Sequence, residues 1–264
     1  MIAPGSRYVA LGSSFAAGPG IDPIVHRPAG RSGRNYPHLV AAELGLDLTD
    51  VTYSGATTAN LLDTPQDEAP PQLDAVTPAT AVVTITVGGN DLEYVGTFTR
   101  GSRLNTFAKP ANLLGRRVAN RIRARVSYLK DDAAYQAVTD SLVTVVERVR
   151  EQAPAARVVL VDYLTLVGPA TRPRLDVPLN EEQLPSVAMM ADSLAAAFAK
   201  AAAGTGAGLV AASAVSQDHA IGSAEPWTTG FTLRPPALGG VVPYHPNAAG
   251  MRAVADLVVR ALRT

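Results

Sequence analysis

Acyl transfer needs a hydroxyl nucleophile, a neutral imidazole base and converging N–H donors. The sequence holds candidates for each. Leu11-Gly12-Ser13-Ser14-Phe15 closes an apolar run. A serine directly after a strand, beside glycine, can present its hydroxyl at the sheet edge, and a helix starting there aims free N–H groups at the same spot. A plain helix N-cap is the alternative. Tyr53-Ser54-Gly55-Ala56-Thr57-Thr58 offers a backbone N–H unshielded by a side chain, or simply a turn. Val87-Gly88-Gly89-Asn90-Asp91 adds the amide donor of Asn90, or is an Asx-type turn. There are four histidines, His26, His38, His219 and His245. His245 stands in Pro243-Tyr244-His245-Pro246-Asn247, just before the last helical segment, where a loop can aim it at the sheet edge; a loop histidine with no role is the alternative.

These residues need elements to bring them together. Short apolar runs read as strands: Tyr8–Leu11, Asp50–Tyr53, Ala81–Val87, Arg157–Val161 and, more weakly, Leu209–Ala212. Their continuous apolar character predicts strands covered on both faces, as in parallel sheets. Three apolar stripes of helical period lie between or after them: Val138, Leu142, Val145, Val146 and Val149; Val187, Ala191, Leu194 and Phe198; Met251, Ala255, Val258 and Leu262. Strand–helix alternation predicts an α/β fold, a three-layer α/β/α sandwich around a mostly parallel five-stranded sheet, with ligands beyond the carboxyl ends of the strands. Residues 94–130 carry nine basic side chains, from Arg100 and Arg103 through Lys109, Arg116, Arg117, Arg121, Arg123 and Arg125 to Lys130, and no acidic one. They read as an insertion over the sheet's carboxyl edge, either a solvated face or a functional segment, a lid or a contact for an anionic surface. Residues 1–264 are expected to form one domain.

Composition excludes other classes. Apolar residues at 47% and charged residues at 17% rule out a disordered chain. Twenty-three basic residues balance twenty-three acidic ones, so net charge argues for neither nucleic acid nor a membrane surface as partner. Zero cysteines remove disulfides, thiolate metal sites and a cysteine nucleophile, and fit a reducing compartment. The N-terminal residues lack a charged n-region leading into an apolar core, and no apolar run is long enough to span a bilayer. A cytoplasmic location is expected, with a mature secreted chain as the alternative. Oligomeric state is left open.

Taken together, Gly12-Ser13-Ser14-Phe15, Gly55, Gly88-Gly89-Asn90-Asp91 and His245-Pro246-Asn247 resemble the blocks of SGNH hydrolases, also called GDSL esterases. The resemblance runs from about residue 7 to about residue 260, and His219 through Pro226-Trp227 is similar to actinobacterial members. It implies a carboxylic ester hydrolase, an esterase or lipase, that acts on small-molecule or lipid esters without metal or organic cofactor. Ser14 would attack the carbonyl and His245 would serve as base. The Ser14 N–H, the Gly55 N–H and the Asn90 side chain would form the oxyanion hole.

Two positions depart from the pattern. Ser13 stands where the family usually has aspartate, which implies a lost supporting hydrogen bond. Val242 stands three residues before His245, where the family usually has the third catalytic residue. The Val242 main-chain carbonyl is expected to orient the imidazole instead, with Asp218 as a remote alternative. The secreted members often carry disulfides, and this chain has none. Competing readings are an acyltransferase or thioesterase using the same site, and a non-catalytic binding domain with a degraded site. A nucleotide-binding α/β domain would need a phosphate-binding glycine turn, which the chain lacks after its first strand.

Overall fold

Strand β5, Thr80–Thr86, is the centre of the fold. Its run of β-branched residues is buried almost throughout, because it pairs in parallel with a neighbour on each side and carries helices on both faces. The computed structural model describes residues 2–111, 129–234 and 240–264. Around β5 stand β1 (Arg7–Gly12), β4 (Asp47–Asp50), β6 (Arg157–Val161) and β7 (Gly208–Val210), in the order β4-β1-β5-β6-β7, all parallel. A small antiparallel hairpin, β2 (Ile24–His26) with β3 (Arg31–Ser32), lies apart from this sheet. The expected five-stranded three-layer sandwich is therefore observed.

Three of the long helices follow the three apolar stripes. The chain forms α1 (Ser14–Ala17), α2 (Tyr36–Leu44), α3 (Thr58–Leu62), α4 (Tyr94–Ala111), α5 (Asp132–Gln152), α6 (Gln183–Thr205), α7 (Ala212–Val215) and α8 (Ala248–Arg263). Helices α5 and α6 pack against each other, as do α2 and α8. Val138, Leu142, Val145, Val146 and Val149 are all buried on α5, so the stripe read from the sequence is the face that meets the core. Asp131 caps α5 by accepting from the Ala134 N–H at 2.9 Å, and Asn247 caps α8 by accepting from Gly250 at 2.9 Å.

Two strands sit off their expected positions. The stretch Asp50–Tyr53 was expected as a strand, but β4 ends where that stretch begins. The buried Asp50 carboxylate accepts from the Thr52 N–H at 2.9 Å and the Thr52 hydroxyl at 2.7 Å, which turns the chain there. Residues Val51 and Tyr53 still donate to the Ala10 and Gly12 carbonyls of β1 at 3.1 and 2.9 Å, so the segment hugs β1 without continuing the ladder. At the far edge, β7 stops at Val210 and Ala212 already belongs to α7, whose first turn is held by the Asp162 carboxylate accepting from the Ser213 N–H at 2.9 Å.

The segment at 94–130 is helical where it is described. Helix α4 buries Tyr94, Phe98 and Ser102. Its first half is thus part of the core rather than a cover above it. Arg100 and Lys130 both approach Glu93, at 3.5 and 3.6 Å. Arg116, Arg117, Arg121, Arg123 and Arg125 lie outside the described residues. Among the described residues, α6 is the one helix long and apolar enough to cross a membrane, but Leu184, Val187, Met190, Leu194 and Phe198 are buried in the core.

Asp50 organises the loops next to β1. Besides Thr52, it accepts from the Asn35 side chain at 2.8 Å, and Arg31 Nε and His38 Nδ1 stand 3.4 and 3.3 Å from it. Burial alone would raise its pKa, but His38, Arg31, Asn35 and Thr52 together hold it below the ordinary carboxylate value. Its contribution to stability is therefore present above the unfolded-state value and lost as pH falls through the folded one. Asp50→Ala should destabilise the protein by about 2–5 kcal/mol in urea unfolding at pH 7, since it leaves the buried Thr52 N–H and hydroxyl without their acceptor. A loss below about 1 kcal/mol would show that this network is not structural.

Candidate active site

The site begins with a close approach of two strands. Gly12 ends β1 with φ of +154°, and a Cβ there would lie 2.6 Å from the Thr86 carbonyl oxygen. Only glycine lets β1 run this near the end of β5. The buried Gln72 side chain then fixes the same residue, accepting from the Gly12 N–H at 2.8 Å and donating to its carbonyl at 3.1 Å. Ser13 follows as the N-cap residue of α1, and its N–H donates to the Thr86 carbonyl at 2.9 Å. Ser14 is the first helical residue. Its hydroxyl is thus not a helix cap, and it faces His245 instead.

Ser14 Oγ and His245 Nε2 are 2.8 Å apart. The other ring nitrogen, Nδ1, lies 2.7 Å from the Pro243 carbonyl oxygen. A carbonyl can only accept, so Nδ1 carries the proton and Nε2 presents its lone pair to the serine hydroxyl. That is the tautomer a general base requires. The Phe15 ring lies 5.5 Å from the imidazole, centroid to centroid. Burial pushes the His245 pKa down to about 4, with the Pro243 carbonyl pulling weakly the other way.

The expected carbonyl was that of Val242, and here the structure corrects the sequence reading. The Val242 carbonyl accepts from the Thr229 hydroxyl at 2.6 Å, and the next carbonyl, that of Pro243, faces the ring. Asp218 lies exposed on a short turn, Gln217–His219, and His245 Nδ1 is already engaged by Pro243. A strained residue sets the geometry. Tyr244 has φ of +59°, a left-handed conformation costly for a bulky side chain. It is fully buried, its hydroxyl is 2.5 Å from Ser102 Oγ on α4, and its ring meets Phe98 edge-on at 4.3 Å. Thr229 clamps the same loop: its N–H donates to the His245 carbonyl at 2.9 Å, and its carbonyl accepts from Tyr244 at 3.1 Å.

The turns that carry the other two predicted residues, Gly55 and Asn90, are joined to each other. The Asn90 amide donates to the Ala56 carbonyl at 2.8 Å, which brings the Gly88–Asp91 turn to the Gly55 turn. Asp91 seals the junction by accepting from the Thr58 N–H at 3.1 Å and the Thr58 hydroxyl at 2.5 Å. Among the described residues, no internal acceptor takes the N–H of Ser14 or of Gly55. Ser13 keeps a supporting partner, with its hydroxyl 3.3 Å from that of Tyr163. Pro243, Tyr244, Thr229, Gln72 and Tyr163 escape a sequence reading. The sole hint is the Pro243–Pro246 bracket around His245, which marks a rigid turn without showing which carbonyl it aims.

Residues 10–253 match the family model described as GDSL-like Lipase/Acylhydrolase. Lipase 2 of Streptomyces coelicolor is 34% identical over 265 residues, which covers 96% of this chain and 84% of that protein. The lipase of Streptomyces rimosus is 30% identical over 250 residues, 92% of this chain and 81% of its own length. Among solved structures, the extracellular lipase from Streptomyces rimosus superposes with a TM-score of 0.71 at 29% identity, over 98% of this chain and 100% of that one. A phospholipase A1 from Streptomyces albidoflavus NA297 shares the fold, with a TM-score of 0.73 at 24% identity and the same coverage.

The low pKa of His245 has a kinetic consequence. His245 remains neutral until the pH drops to about 4. The acid limb of kcat/KM should therefore have its midpoint near pH 4, with activity recovered on return to pH 7. A reversible midpoint at about 6.5, the ordinary histidine value, would contradict the described environment.

Proposed function

Because this chain belongs to the GDSL-like lipase/acylhydrolase family, and is thus a carboxylic ester hydrolase, we propose that Ser14 and His245 form its catalytic dyad. The observation that carries the assignment is the 2.8 Å bond between Ser14 Oγ and His245 Nε2, with Nδ1 fixed by Pro243. His245 Nε2 takes the hydroxyl proton as Ser14 Oγ attacks the ester carbonyl. The carbonyl electrons move onto oxygen, and the Ser14 N–H, the Gly55 N–H and the Asn90 amide receive that oxyanion. Collapse expels the alcohol, which takes the proton from His245 and leaves an acyl-Ser14. Water, deprotonated by the same imidazole, releases the acid and restores the serine. A carbonyl at Nδ1 fixes the tautomer but stabilises imidazolium less than a carboxylate would, which agrees with the depressed pKa.

Lipid esters are the substrate class this reading favours, on the strength of the lipases among its relatives. An extracellular setting replaces the cytoplasmic expectation. Its support is the Streptomyces rimosus relative, itself described as an extracellular lipase. In this reading residues 1–264 act as a single catalytic domain. The binding-domain alternative is disfavoured, since Ser13 and Val242, the two departures that motivated it, leave Ser14 and His245 in bonding contact.

The test is hydrolysis of p-nitrophenyl esters of graded chain length. Ser14→Ala should lower kcat by at least about 10³-fold. Asn90→Ala should lower it by about 10²–10³-fold with little change in KM. Inactivity of the wild type on every ester would refute the assignment, as would full activity of Ser14→Ala.

A further inference from the structure

One buried hydroxyl is not used by the dyad. Tyr163 stands two residues beyond the end of β6, at the carboxyl edge of the sheet, and is 6% exposed. The Gly89 N–H donates to its hydroxyl at 2.9 Å, and Ser13 Oγ lies 3.3 Å from the same oxygen. The Gly89 N–H can only donate, so the phenol accepts there, and its hydroxyl and that of Ser13 share the second bond. Gly89 is glycine for this contact: a Cβ would meet the Tyr163 hydroxyl at 2.8 Å. The ring is walled by Phe15, Tyr94 and Phe198, with centroids 4.6, 6.1 and 6.0 Å away. Such packing leaves the hydroxyl little freedom. Burial raises its pKa to about 12, so it stays a neutral phenol at working pH.

The two partners of this hydroxyl have a shared property. Ser13 immediately precedes Ser14, and Gly89 immediately precedes Asn90. We propose that Tyr163 is a positioning residue that sets the distance between the Ser14 nucleophile and the Asn90 oxyanion donor, gripping the first turn through Ser13 and the second through the Gly89 N–H. The inference rests on the dyad reading above. It also gives a use to serine at position 13: a short side chain reaches the phenol without entering the nucleophile's space. Tyr163 bonds Ser13 and Gly89, not Ser14 or His245. Its loss lets the two turns drift, which weakens the transition state while leaving substrate binding and the imidazole unchanged.

The experiment compares Tyr163→Phe, Ser13→Ala and the double variant with the wild type, with each kcat expressed per site titrated by a serine-directed phosphonate. That correction removes any loss of folded enzyme. Tyr163→Phe should lower kcat by about tenfold or more, the factor attached to one well-formed hydrogen bond, with KM and the acid limb unchanged. Ser13→Ala should lower it less, since the Gly89 contact survives. The double variant should be no worse than Tyr163→Phe alone, because the two residues act as one unit. Wild-type kcat per titrated site in Tyr163→Phe would overturn the proposal, and so would additive losses in the double variant. If Tyr163→Phe fails to fold, Ser13→Ala decides: a reduced kcat at unchanged KM supports the proposal, and an unchanged kcat overturns it. A wild type that the phosphonate does not label would refute the dyad instead, so the two failures are distinguishable.

Discussion

The hydrogen bond between Ser14 and His245 joins residues 231 positions apart in the chain, and the rest of the fold serves to hold it at 2.8 Å. One end of that bond is fixed by the sheet. Gly12 passes so near Thr86 that β1 and β5 finish side by side, and Gln72 locks both backbone groups of Gly12. Ser14 has little freedom as a result. The other end is fixed by a loop. Tyr244 is forced into a left-handed conformation, and the strain is sustained by a buried ring against Phe98 and a hydroxyl bonded to Ser102. Helix α4 thereby supports the loop that carries His245.

In the proposed dyad a backbone carbonyl stands in place of a carboxylate, and this has a physical counterpart in the imidazole itself. A carboxylate at Nδ1 would raise the imidazole pKa and bring a charge that must be desolvated. The Pro243 carbonyl supplies direction without charge, and burial leaves a histidine that stays neutral far into acid. Thr229 holds the neighbouring carbonyl: its hydroxyl donates to that of Val242, while the carbonyl of Pro243 faces the ring.

Much of this was legible in the sequence, and the limits are instructive. Strands β1, β5 and β6 are covered on both faces, so their apolar runs announced them directly. The second expected strand was displaced because β4 is an edge strand of mixed polarity, Asp47-Leu48-Thr49-Asp50, while the apolar Val51 and Tyr53 bond to β1 past its end. The hairpin β2–β3 is too short to show a period. Ser14, Gly55, Asn90 and His245 stood out because Ser14 and Asn90 come just after glycines, Gly55 is itself a turn glycine, and His245 stands just before the last helix. The Val242 expectation failed because a carbonyl leaves no trace in residue type, and a left-handed tyrosine is chosen by packing rather than by local preference. Tyr163 was invisible for a similar reason: its role depends on three strands meeting at one edge.

Covalent labelling tests the central claim most directly. The intact protein would be treated with an alkyl phosphonate ester at pH 7, and the modified peptide mapped by mass spectrometry. The account predicts one adduct per chain, on Ser14, and none in a His245→Ala variant under the same conditions. An adduct on Ser13, or equal labelling of the wild type and His245→Ala, would contradict it.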